Sequence, residues 1–443
     1  MANSTESTTQ LNRTLGPLML WGLGVGYVIS GMYFGWNLGL EKGGTLGLAV
    51  ATFFIIILYL CFTFSYTELA CAIPRAGGAF DYAMRALGKD WGFLGGMAQN
   101  IEFIFAPPAI AFAIGAYLNI FMPGVPVLAI AVFAYLVFTA LNIYGVQAAA
   151  SFELVITVVA VIGLLLFAGA ALPAFEWQHL EHNALPNGWA GAFAALPFAI
   201  WFFLAIEGVA NVAEETINPQ RNVLIGFGSA ILTLVALCLL TFAASVGVGG
   251  WETIVYAEAG AAPSDSPLPL ALAHVAGHGH ILYQMVTVIG LFGLVASFHG
   301  IILSAGRATM EFGRVGFAPR GLGRVHARFK TPANALLLNM GIGIVALFTG
   351  KTGEIITIAC FGALTLYIVS MVALIKLRRQ EPELERPFRV PLYPLTPVVA
   401  LVIAVVAFVA ITIDNLLLAG IYFGLLGVAY LWFRTFYGPS QPS

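Results

Sequence analysis

Long apolar stretches, one after another with almost no charge inside them, constrain this chain more than any other feature. Twelve stand out, at about 15–40, 44–73, 90–120, 124–144, 148–172, 190–215, 223–249, 280–307, 333–350, 353–377, 394–413 and 415–436. About 20 apolar residues carry a helix across the hydrocarbon core of a bilayer. Only 9% of the 443 residues are charged, against about a quarter in soluble domains, and mean hydropathy is +0.92. The expected class is therefore an all-α membrane protein of twelve transmembrane helices. No intervening stretch is long enough for a soluble domain, and no basic stripe points to nucleic acid. The first stretch lacks a small-residue cleavage site and is expected to be a retained helix.

Charge placement predicts the orientation. With the N-terminus in the cytoplasm and the stretches alternating, all but Lys42 and Lys351 of the 19 Lys and Arg fall on the cytoplasmic side. Basic residues favour that side, so both termini are expected inside, at the plasma (inner) membrane. The four cysteines, Cys61, Cys71, Cys238 and Cys360, are scattered through apolar stretches. They read as small core residues and not as a metal or disulfide framework.

Two stretches are interrupted, and they lie five apart. The first, GPLMLWGLGVGYVISGMYFGWNLGL, carries five glycines from Gly22 to Gly35; the sixth, WFFLAIEGVANVAEE, carries Glu207 beside Gly208. Matching broken helices in two halves point to a secondary transporter built of inverted repeats. Residues 15–172 then form one repeat of five spans, residues 190–377 the second, and residues 394–436 two added helices. Tails at 1–14 and 437–443 complete the chain. Close helix packing through small residues is the competing explanation of the glycines. Ala106, Pro107 and Pro108 are expected to kink the third span.

Four glutamates, Glu68, Glu102, Glu153 and Glu207, lie within or at the ends of predicted spans, with no Lys or Arg at comparable depth. An ionisable residue in a span costs at least about 2.5–3.5 kcal/mol, so it faces a cavity or a partner. Acids without bases offer acceptors to a cation and nothing to an anion. Glu207 falls within the break of the sixth span, where half-helix carbonyls add negative potential. It is the leading candidate to hold an ammonium group and to carry a proton; the alternative is a protonated glutamate bonded to a neighbouring helix. Glu102 is read equally as a substrate or coupling residue and as an interhelix bond. Glu153 is expected in a cytoplasm-facing vestibule, and Glu68 in a structural or gate-forming role. Trp201 could cover a cation through its ring face, with Ala205 beside it in the break, while Phe202 and Phe203 are expected to pack. Tyr27, Ser30, Gly31 and Tyr33 surround the first break and offer hydroxyls and backbone to an alcohol group, or else join helices. His299 is a proton-path candidate, or a satisfied buried histidine. His274, His278 and His280 are expected to be solvent-exposed. Acids of EETINPQRN, with Arg221, suggest a closing ion pair. No cofactor and no metal site is expected, and no nucleophile with an adjacent base suggests an enzyme. A multispanning sensor is the alternative from another class, though no signalling domain is attached.

Three segments carry a resemblance. YTELACAIPRAGGAFDYAMRALG (Tyr66–Gly88), IEGVANVAEETINPQRNV (Ile206–Val223) and SAGRATMEFGRVGFAPRGLGRVHARFKTP (Ser304–Pro332) resemble, in order, segments of the amino acid–polyamine–organocation superfamily. That resemblance implies the LeuT-like fold of ten core helices in 5+5 inverted repeats plus two, with substrate held at the breaks of spans one and six. The first span, GVGYVISGMYFGWNLGL, looks like that of bacterial ethanolamine permeases. Amino acid members carry a glycine–small–glycine break whose amides hold a carboxylate; here Ile29-Ser30-Gly31 stands in its place. A β-branched isoleucine makes an anion cradle harder to form. Antiporters of basic amino acids are similar in carrying a glutamate and an aromatic at the places of Glu207 and Trp201. The lysine that some proton-coupled relatives carry would fall near Ala160 and is absent. These likenesses imply import of ethanolamine, or a similar small amine, by alternating access with proton coupling. An amino acid permease or exchanger of the same superfamily is the alternative.

Overall fold

The computed structural model describes residues 13–75, 77–144 and 149–437. Residues 1–12 and 438–443 of the two expected tails lie outside the described residues. The first apolar stretch becomes α1 (Pro17–Val28) and a single turn, α2 (Ser30–Tyr33). It is followed by α3 (Leu38–Ala72), α4 (Ala79–Leu87), α5 (Lys89–Asn119), α6 (Val127–Tyr144), α7 (Ala149–Ala171) and α8 (Trp177–Glu181). The sixth stretch is α9 (Gly188–Ala194), α10 (Leu196–Trp201) and a tightly wound 3-10 segment, Ile206–Glu215. Beyond it come α11 (Pro219–Val246), α12 (Trp251–Val255), α13 (Pro267–Ala276) and α14 (Ile281–Arg314). The chain closes with α15 (Ala333–Leu347), α16 (Thr352–Gln380), α17 (Leu395–Asp414) and α18 (Leu416–Phe436). Among the described residues, extended pairing is limited to isolated bridges, Leu15 with Thr216 and Tyr256 with Pro263.

Ten of these helical stretches are long and apolar enough to cross a membrane, while α1 and α15 are shorter apolar helices. The core is built around α5, which packs on α14 and α16, while α1 packs on α11 and α7. Helices α17 and α18 are the least buried of the ten, as expected of additions at the rim. Pro107 and Pro108 sit inside α5, which remains one helix; neighbouring groups in a membrane helix can absorb the lost donors.

Arg85, Lys89 and Arg434 surround one aromatic cluster and give that end of the bundle a basic face. Phe80, Phe93, Phe312, Phe317 and Phe433 form a cluster that brings the start of α5 and the end of α14 against α4 and the end of α18. Around it Arg85 pairs with Glu381, and Arg434 with Asp90 at 3.2 Å. Lys42 and Lys351 lie among different neighbours. Asn187 bonds the Lys42 carbonyl at 2.8 Å, Asn37 bonds the Ser264 carbonyl at 2.8 Å, and Thr352 bonds Asp265 at 2.9 Å.

The first stretch is interrupted twice. α1 ends before Ile29, which keeps right-handed helical angles (φ −59°, ψ −23°). The backbone departs further at Phe34, which is extended, and at Gly35, with φ +87°. A Cβ on Gly35 would lie 2.4 Å from the Trp201 indole nitrogen, so glycine is required there by both conformation and space.

Candidate functional site

The two interrupted stretches meet face to face. Gly31 lets the Trp201 carbonyl approach so closely that a Cβ would stand 2.4 Å from it. Trp201 Nε1 donates to the Phe34 carbonyl at 3.0 Å, and its ring meets Phe34 edge-on at 5.4 Å. The first break's backbone groups are taken up by side chains of neighbouring helices, as buried amides and carbonyls must be. The Ser30 amide donates to Ser297 Oγ at 2.9 Å, and Ser297 donates on to the Gly26 carbonyl. Tyr117 donates to the Tyr33 carbonyl at 3.0 Å, while the Tyr33 hydroxyl is given to the Ala160 carbonyl at 2.7 Å. Phe203 packs against Tyr59 and Phe202 against Trp36.

At the second break, Ala205 is held in the left-handed region at φ +74°, a conformation that costs a non-glycine residue of order 1–3 kcal/mol. Its amide donates to Glu102 Oε1 at 3.2 Å. This brings Glu102, on α5, to Glu207, in the 3-10 segment, with the two carboxyl groups close to each other. Both residues are fully buried. Tyr367 on α16 donates to Glu207 Oε2 at 3.1 Å, and Tyr59 on α3 is bonded to Tyr367 at 2.9 Å. Gly362 permits this proximity, since a Cβ there would lie 2.8 Å from the Glu102 amide. No N–H or O–H donor reaches Glu102 Oε2 or Glu207 Oε1. Four elements thus converge on two carboxyls with no base among them.

A second acid lies toward the basic face. Glu153 Oε2 is 3.5 Å from His299 Nδ1, and a cavity of about 50 Å³ runs past Tyr27, Glu153, His299, Glu215 and Arg307. That is room for a few water molecules. The Tyr27 ring, which lines this cavity, is wedged between Gly208 and Gly300, either of which would clash with it through a Cβ. Glu215 pairs with Arg307 at 2.9 Å, and its carbonyl accepts from the amides of Thr14 and Leu15. Among the described residues the acid of EETINPQRN that forms an ion pair does so with Arg307 of α14 and not with Arg221.

Glu68 requires a correction. It does have basic partners: Arg378 grips it through Nε at 2.7 Å and Nη2 at 2.6 Å, Arg386 approaches at 3.3 Å, and the Val390 amide donates at 2.7 Å. Both arginines come from beyond α16's apolar stretch and fold back over the end of α3. Tyr367 and Tyr59 are the site residues that sequence reasoning missed; a tyrosine in an apolar helix is too common to signal anything alone. His280 caps α14 by accepting from the Leu282 amide. His274 and His278 line an open cleft with Glu252 and Glu258.

A family model described as amino acid permease matches residues 15–428. An uncharacterised transporter of Rhizobium meliloti is 28% identical over 87% of this chain and 83% of its own. The branched-chain amino acid permease BcaP of Bacillus subtilis is 24% identical over 88% of this chain and 86% of its own. A methylthioribose transporter of the same bacterium is 26% identical, with 88% and 87% covered. With its broken stretches meeting at a buried polar site, the chain is a multi-pass membrane transporter and not an enzyme, and it belongs to the amino acid permease family of the amino acid–polyamine–organocation superfamily.

Proposed function

We propose that this transporter imports ethanolamine, or a small primary amine like it, by alternating access with proton coupling. The observation that carries the reading is the Glu102–Glu207 pair: two fully buried acids at the meeting of the breaks, with no Lys, Arg or His among the described residues bonded to either. A carboxylate site of this kind attracts an ammonium group and repels a carboxylate. The first break adds support, because the Ser30 amide is already occupied by Ser297 and is not free to cradle an anion. In this reading Glu207 and Glu102 hold the ammonium, and Trp201 and Ala205 close the second break over it. Ser30, Gly31 and the Tyr27 and Tyr33 region meet the hydroxyl end. Glu153 and His299 serve proton movement on the cytoplasmic side, through the cavity that Tyr27 lines. The architecture is twelve crossings in 5+5 inverted repeats plus two helices, in the plasma membrane, with both termini cytoplasmic.

An amino acid substrate is the second reading, favoured by the family's description and by the permease BcaP. A binding panel on purified protein separates them. Ethanolamine, serine, alanine, leucine, choline and putrescine are titrated at several pH values. Saturable ethanolamine binding that choline and leucine do not displace is the expected result. Leucine or alanine binding without ethanolamine binding would replace the amine with an amino acid.

A further inference from the structure

We infer that Glu102 and Glu207 share a single proton, and that a bound ammonium group takes its place, so that transport is a one-for-one exchange of amine for proton. The inference deepens the proposed function and rests on its amine reading. The two side chains are neighbours and fully buried, and one oxygen of each, Glu102 Oε2 and Glu207 Oε1, has no hydrogen-bond donor among the described residues; one proton held between the carboxyls satisfies both. The remaining two oxygens are fixed, one by the Ala205 amide and one by the Tyr367 hydroxyl. Two carboxylates in contact away from water do not both ionise unless a cation joins them. The other titratable groups acting on the pair are Tyr59 and Tyr66 of α3, Cys360 and Tyr367 of α16, and Tyr422 of α18. Each of these is neutral when protonated, so none supplies the missing positive charge.

The charge balance is simple. The pair with its proton carries one negative charge. When the ammonium enters, the O–H bond breaks, the proton leaves to the open side, and two carboxylates face one cation. Net charge at the site is unchanged, and one proton leaves for each amine taken up, so the inward amine gradient drives import and an inward proton gradient opposes it. Exchange of this kind differs from co-transport, in which proton and amine would occupy the protein together. Because Glu102 supplies half of the site, it is a substrate-binding residue in its own right, alongside Glu207.

The test uses purified full-length protein in three forms: wild type, Glu102→Gln and Glu207→Gln. Infrared difference spectra read protonated carboxyl groups, and proton release on adding ethanolamine is followed in weakly buffered solution. Wild type should show a protonated-carboxyl band at neutral pH that ethanolamine abolishes, with roughly one proton released per amine bound. Apparent affinity should rise about tenfold per pH unit while the pair holds its proton. Both variants should keep their melting temperature and lose the coupled proton release. Ethanolamine binding without proton release, or absence of the band in unliganded wild type, overturns the exchange. If the band is present but no amine of the panel removes it, the amine reading and the exchange fall together, and the shared proton stands.

Discussion

Two sets of buried glutamates look alike in the sequence and differ in everything the structure adds. Glu68 and the Glu102–Glu207 pair are all fully buried. Glu68, at the basic-face end of α3, is gripped by two arginines and a backbone amide, so its charge is matched and its geometry fixed. Glu102 and Glu207 have only each other, one amide and a tyrosine. Burial alone therefore does not mark a functional acid. What marks it is a deficit of positive charge that something mobile must fill.

Mutations can press on this contrast. The largest effect should come from Glu68→Gln, which strands two arginines. Removing one partner of a buried ion pair costs about 3–5 kcal/mol, to be seen as a fall in melting temperature and yield, and Arg378→Met alone should fail similarly. Glu207→Gln should do the opposite. Gradient-driven uptake disappears while the melting temperature holds or rises, since no charge is left unmatched. If Glu207→Gln destabilised as strongly as Glu68→Gln, the central pair would be structural after all.

Smaller effects follow at the periphery of the site. Trp201→Phe deletes one hydrogen bond to the Phe34 carbonyl, worth about 1 kcal/mol, and should weaken substrate retention more than folding, read as faster dissociation. Arg307→Gln removes the closing pair with Glu215, a partly exposed contact worth at most about 1 kcal/mol, and should raise labelling of a cysteine placed at Leu23. Asp265, in the loop before α13, is pushed up to about 6 by burial, with Thr352 pulling the other way. Its raised value means the folded form holds the proton more tightly than the unfolded chain. Stability should therefore fall as pH rises from about 4 to 6 and level off above that, and Asp265→Asn should flatten that slope in thermal melts.

Much of this was legible from the chain. Apolar runs gave the helices because the bilayer leaves the backbone few choices. Glu207 beside Gly208 marked the second break. Other features were hidden by distance. Glu68 and Arg378 are 310 residues apart, and no local pattern says that they meet. Tyr367 gains its role only because α16 passes beside Glu207. In the first break the glycines from Gly22 to Gly35 were visible, but which of them turns the chain was not: Gly35 does so because it lies next to the Trp201 indole, 166 residues away in sequence.

Helix α15 has only 15 residues, which at about 1.5 Å per residue reach about 22 Å, short of a hydrocarbon layer about 30 Å thick. Its flank is nonetheless greasy, with Leu337, Leu338 and Val345 exposed. A bilayer of that thickness beside this flank is matched only by local thinning, so turnover in vesicles of shorter-chain lipid is expected to exceed that in longer-chain lipid.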